Sequence, residues 1–154
     1  ETLKYAIENL QEKELKYNFM CMDCDTFYFE NVIDQYIKSE NKNAIYYFED
    51  DSKTDIFSFI KIQDGIVTDI AEKNRISNFA NCGIFCFENG TIIKQYIDFL
   101  LDKNVMQKNE FYISGIFNLM IQSKIKISSI MVNDFICVGT PLQMQEFINR
   151  NKNV

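Results

Sequence analysis

The sequence predicts an α/β fold of three layers, α/β/α, built on a mixed and mostly parallel sheet. Three observations carry that prediction. Apolar runs of strand length alternate with stretches of helical periodicity along the chain. One hairpin signal, Asp64-Gly65, interrupts the alternation. One Pro, five Gly and the lack of any linker-like or low-complexity run predict that residues 1–154 form a single domain.

The elements follow in order. Leu3, Ala6, Ile7 and Leu10 recur at helical spacing, and Tyr17 to Met22 then reads as a buried strand that Asp23-Cys24-Asp25-Thr26 ends. Val32, Ile33, Tyr36 and Ile37 mark a short helix before the aromatic strand Ile45-Tyr46-Tyr47-Phe48. Ile56 to Ile62 alternates apolar with polar and turns at Asp64-Gly65 into Ile66-Val67-Thr68-Asp69-Ile70. Asn81 to Phe87 predicts another buried strand, followed by a helical stripe of Ile92, Ile93, Tyr96, Ile97, Phe99 and Leu100. A further helix is expected over Glu110 to Gln122 and a strand over Lys126 to Val132. Thr140-Pro141-Leu142-Gln143 places Thr at the N-cap, Pro at N1 and Gln at N3 of a closing helix.

Composition narrows the chemistry. The 154 residues hold 16 Lys and Arg against 22 Asp and Glu, a net charge of −6, with the basic residues dispersed, so nucleic acid is not an expected partner. The longest apolar run is Ala44 to Phe48, far too short for a membrane span. With no His, the chain supplies neither a Ser-His nor a Cys-His nucleophile pair, nor a His-bearing zinc site. Five cysteines, Cys21, Cys24, Cys82, Cys86 and Cys137, lie in or beside apolar runs and are expected as reduced thiols of a cytoplasmic protein. Cys21 and Cys24 do not read as zinc ligands, because positions three apart on a strand point to opposite faces.

In an open α/β sheet, ligands collect beyond the carboxyl ends of the strands. That rule points at Asp23 and Asp25. A carboxylate there suits Mg²⁺, which takes one or two carboxylates with water and phosphate oxygens; alternatively one Asp caps the following turn and the other is solvated.

Five stretches in order resemble the sugar-phosphate nucleotidyltransferases. They are Met22-Asp23-Cys24-Asp25, Glu72-Lys73, Asn81-Cys82-Gly83-Ile84-Phe85, Glu110-Phe111-Tyr112 and Val138-Gly139-Thr140-Pro141. The resemblance is greatest to the bacterial branch serving capsule and surface-polysaccharide pathways. It implies a Rossmann-like, GT-A-like nucleotidyltransferase fold and transfer of a nucleoside monophosphate, CMP in many members of that branch, from a triphosphate to a sugar phosphate or similar small phosphorylated acceptor. Pyrophosphate is released, and the product serves polysaccharide precursor synthesis. The alternative is a non-catalytic nucleotide- or sugar-phosphate-binding regulatory module of the same fold.

By the same resemblance, Asp25 is the catalytic Mg²⁺ ligand, Glu72 and Asn81 hold the acceptor, and Lys73 meets its phosphate. Gly83 lets backbone approach the substrate, and Asp23 stands behind the motif. Glu110 either holds substrate hydroxyls or favours the first turn of its helix through the dipole. Where an aspartate of the family completes the metal site, this chain has Cys137, with Asp134 the nearest carboxylate and the expected second ligand. Without the family pattern, Glu72-Lys73 reads as a solvated pair and Asn81 as a backbone-satisfying residue. No Gly precedes Gly65, so the Gly-rich triphosphate cradle of the family is missing. The chain is therefore expected to be the C-terminal part of such a domain, incomplete at the N-terminus and inactive by itself, its expected partner a homo-oligomer or a fused or missing N-terminal half.

Overall fold

The computed structural model describes residues 2–52 and 54–151. Helix α1 spans Thr2–Glu8, and a 3₁₀ turn, Glu14–Lys16, leads to strand β1, Phe19–Met22. Strand β2 is Thr26–Tyr28, helix α2 Val32–Lys38 and strand β3 Ala44–Glu49. Strands β4, Ser58–Gln63, and β5, Ile66–Glu72, form the expected hairpin. Asp64 and Gly65 both take positive φ, 51° and 75°, as a two-residue turn matched to strand twist requires. Then come β6, Phe79–Phe87, α3, Gly90–Asp102, α4, Ile113–Gln122, β7, Ser128–Met131, β8, Phe135–Cys137, and α5, Pro141–Asn151.

The helix ends carry the caps that their sequences offer. Thr140 Oγ1 accepts from the Gln143 N–H at 3.2 Å while Gln143 Oε1 accepts from the Thr140 N–H at 3.0 Å, the reciprocal box read from the sequence. Asn31 and Asn89 cap α2 and α3 in the same way with one bond each. Helix α4 is shorter than expected. It begins at Ile113, and Glu110 lies ahead of it in a turn closed by reciprocal backbone bonds with Gln107, so Glu110 is not a first-turn residue.

The sheet departs from the expectation of mostly parallel strands. Its order is β1-β6-β3-β7-β5-β4, and among the described residues only β3 and β7 pair in parallel. Strands β1 and β3 do run the same way, as a crossover through α2 predicts, but β6 lies between them and antiparallel to both. Alternation of helices and strands along a chain does not reveal such an insertion. A second contact, β4 with β6, closes β6, β3, β7, β5 and β4 into a circuit of pairings. Strands β2 and β8 form a separate antiparallel ribbon, which apolar periodicity did not disclose because each strand is three residues long.

Two apolar clusters use opposite parities of the strands. Ile45, Phe85 and Phe87 pack with Ile93 and Ile97 of α3 and Ile116 and Phe117 of α4. Ala44, Tyr46, Ile84 and Cys86 pack with Val32 and Tyr36 of α2. None of the described helices is long and apolar enough to cross a membrane.

A candidate acceptor site at a split in the sheet

Strand β6 is nine residues long, and its neighbours on one edge divide it. Residues 84–87 pair with β1, and Phe79 and Ala80 pair with β4. Asn81, Cys82 and Gly83 fall in the gap. On the other edge the register with β3 moves from Ile45↔Phe85 to Tyr47↔Asn81, so β6 bulges there.

The Asn81 side chain occupies the bulge. Its amide donates to the carbonyls of Tyr46 at 2.9 Å and Ile84 at 3.0 Å, and its Oδ1 accepts from the Gly83 N–H at 3.0 Å. Three backbone groups at the bulge are satisfied, and Asn81 is 7% exposed. Its amide is thus committed to the backbone, as the reading of Asn81 without the family pattern anticipates.

Gly83 has φ +89°, a conformation that side chains resist. A Cβ there would stand 2.4 Å from Asp23 Oδ2, so the group that closely approaches this glycine in the fold is the Asp23 carboxylate. The Asp23 N–H donates to the Gly83 carbonyl at 3.0 Å. Partial desolvation, and second the charge of Asp25, raise the Asp23 pKa above the ordinary 3.8.

The gap opens into a cavity of about 260 Å³ lined by Asp23, Glu72, Asn81 and Gly83 among polar groups, with Phe57 and Phe135 among its apolar walls. Glu72 ends β5 and is only 9% exposed. Ser58 of β4 and Ser114 of α4 both donate to its Oε2, at 2.5 and 2.7 Å. No salt bridge reaches Glu72 among the described residues. Glu72 is thus a buried carboxylate held by two hydroxyls, with the Lys73 ammonium near enough to interact with it through charge.

Lys73 and Glu110 do not line the cavity; both bond Tyr112, which does. Lys73 Nζ donates to Tyr112 Oη at 2.8 Å and sits 4.9 Å from the ring centroid, and Tyr112 Oη donates to a Glu110 carboxylate oxygen. The bond to Tyr112 is the largest cause of a raised Lys73 pKa, so the ammonium is retained. Lys73 has φ 47°.

Asp25 is exposed and lies beside the cavity, without forming part of its wall. Its carboxylate covers Gly139: a Cβ there would be 2.3 Å from Asp25 Oδ2 and 3.7 Å from Cys137 Sγ. Asp134 does not join it. In the β2–β8 ribbon Asp25 stands opposite Val138 and Asp134 opposite Phe29, four residues away, about 13 Å of strand. The N–H groups of Asn133 and Asp134 instead donate to Glu30 Oε1 at 2.6 and 2.9 Å, lowering the Glu30 pKa. The expected pairing of Asp25 with Asp134 at one metal is therefore corrected.

No cluster of three or more acidic or thiol ligands for a metal occurs among the described residues. The donor set, Asp25 with Asp23 close enough to feel its charge, fits a Mg²⁺ ion held largely by substrate phosphates, and does not fit one caged by protein alone. No disulfide joins the five cysteines. Cys24, expected among apolar neighbours, is exposed. Burial pushes the Cys82 thiol up to about 12, which leaves it a packing group and no nucleophile.

Ser58, Ser114 and the linking role of Tyr112 were not legible from the motifs. A two-residue turn alone would put Ser58 opposite Ala71. A bulge at Thr68 moves the register so that Ser58 faces Glu72.

No protein-family model and no curated protein matches the sequence. Solved structures do. A nucleoside-diphosphate-sugar pyrophosphorylase from Vibrio cholerae RC9 matches with TM-score 0.77 and 20% identity over 96% of this chain and 63% of that one. A candidate glucose-1-phosphate thymidylyltransferase from Bacillus anthracis, solved with sucrose, matches with TM-score 0.70 and 12% identity over 99% and 60%. The inositol-1-phosphate CTP transferase from T. maritima matches with TM-score 0.68 and 7% identity over 97% and 58%. The chain thus has the fold of nucleotidyltransferases that act on phosphorylated sugars and polyols. It spans about three-fifths of the length of these structures.

Proposed function

We propose that the chain is the acceptor-binding and metal-binding part of a nucleotidyltransferase that joins a nucleoside monophosphate to a sugar phosphate or similar small phosphorylated acceptor. The observation that carries this reading is the meeting of buried Glu72 with Asp23 and Gly83 at one cavity, with Lys73 bonded to Tyr112 of the same wall. Glu72 accepts hydrogen bonds from acceptor hydroxyls, and Lys73, moving from Tyr112, pairs with the acceptor phosphate. Asn81 acts by shaping the bulge, and Glu110 by holding Tyr112.

In the reaction a phosphate oxygen of the acceptor attacks the α-phosphorus of the triphosphate. A new P–O bond forms as the bond to pyrophosphate breaks. Orientation of the acceptor by Glu72 and Lys73 supplies the positioning on which such a transfer depends. Asp25, with Asp23 beside it, would hold Mg²⁺, which when bound neutralises charge shared by the two phosphorylated reactants. A cytidine donor and a role in surface-polysaccharide precursors are the finer form of this proposal.

The test is pyrophosphate release by the intact protein with Mg²⁺, each of the four triphosphates and a panel of phosphorylated sugars and polyols. Asp25→Asn is expected to abolish release and leave the fold intact; near-normal turnover removes Asp25 from the mechanism. A second reading, a binding module that has lost transfer, is favoured by one observation: the position beside Asp25 carries the Cys137 thiol, a poor Mg²⁺ ligand. Calorimetric binding of triphosphate and acceptor without pyrophosphate release would select it.

A further inference from the structure

Glu72 receives its two hydroxyl donors from different elements, and both reach the same oxygen. Ser58 comes from the strand paired with β5 and Ser114 from the first turn of α4, where it is 1% exposed. Ser114 Oγ also lies 3.3 Å from Gln107 Oε1, but its single proton serves the nearer carboxylate at 2.7 Å. Oε2 is thereby saturated. No hydrogen bond reaches Oε1 among the described residues, so its two lone pairs stay open, and Glu72 lines the cavity.

A Glu side chain has three rotatable bonds and is a poor recognition element unless held. Resting on the reading of Glu72 as the acceptor contact, we infer that Ser58 and Ser114 are positioning residues that clamp Oε2 and so present Oε1 to the acceptor hydroxyls. Neither serine touches the reacting atoms. Both act on acceptor affinity, and neither acts on the triphosphate.

The experiment is calorimetric titration of the intact protein, with Mg²⁺ and a non-hydrolysable triphosphate present, using α-D-glucose 1-phosphate and myo-inositol 1-phosphate as probes. Ser58→Ala and Ser114→Ala should each raise the acceptor Kd about tenfold, the scale of one hydrogen bond to a charged group. Triphosphate Kd should hold. Ser58→Thr, which keeps the hydroxyl at a half-buried site, should restore affinity. In a Glu72→Ala background the serine substitutions should add nothing, because the clamp then holds no side-chain oxygen. Loss of binding in Glu72→Gln with unchanged affinity in both serine variants overturns the positioning role alone. Wild-type affinity in Glu72→Gln, or no binding of either probe to the wild-type protein, overturns the acceptor reading and the inference with it.

Discussion

Asp23 and Gly83 are joined twice. The Asp23 N–H donates to the Gly83 carbonyl at 3.0 Å, and the Asp23 carboxylate occupies the space that a Cβ on residue 83 would need. One carboxylate is thus held at the cavity by the absence of one methyl group.

Gly83→Ala should therefore lower stability by about 1–3 kcal/mol, from a positive φ and a close contact together. The contact is with a side chain that can move, so the steric part should vanish in an Asp23→Ala background while the conformational part stays. Urea unfolding of the four proteins in the cycle measures the coupling. Strict additivity would show that the two residues are not in contact.

Asn81→Asp should be more damaging than its near-identical shape suggests. A carboxylate cannot donate to the Tyr46 and Ile84 carbonyls, and it would meet two acceptors in a buried site. A loss of about 2–4 kcal/mol is expected, with Asn81→Ala the milder change. If Asp proves no worse than Ala in chemical denaturation, the amide is not the group that fills the bulge.

Asp23 keeps its proton to higher pH in the folded chain than the ordinary value of 3.8. Just above that value the folded state binds more protons than the unfolded state, so this residue's contribution to stability falls as pH rises through the window. Asp23→Asn should remove that fall, and Asp25→Asn should reduce it by deleting the second cause of the shift. Stability curves of the three proteins between pH 4 and pH 7 decide; identical slopes would show that Asp23 does not titrate abnormally.

Lys73 takes φ 47°, where a glycine is at ease and a lysine is not. Lys73→Gly should leave stability within about 1 kcal/mol of wild type, conformational relief offsetting the added freedom of the unfolded chain. Acceptor affinity should fall at least tenfold. Marked destabilisation in a thermal melt would mean that Lys73 is a structural tether for Tyr112.

The local signals were legible where one stretch of chain suffices. Asp64-Gly65 turned the hairpin, and Thr140 with Gln143 capped α5, because each is settled by backbone chemistry within a few residues. Glu72, Asn81 and Gly83, singled out by the motif order, line one cavity, and the matching solved structures share the mixed α/β nucleotidyltransferase fold that the motifs implied. The motif order did not anticipate that Asp23 would line the cavity and Asp25 lie beside it, since two residues apart on a turning chain can face different spaces.

By itself the sequence determined the kinds of group available, carboxylates, amides, lysines and thiols with no imidazole, and the strand and helix segments that carry them. Only the tertiary structure decided which of those groups meet. Insertion of β6 between β1 and β3, the split along its edge, and the one-residue slip at Thr68 that sets Ser58 opposite Glu72 all arise from pairings between distant segments. Such pairings are chosen by the packing of both sheet faces at once, and no local pattern contains that information.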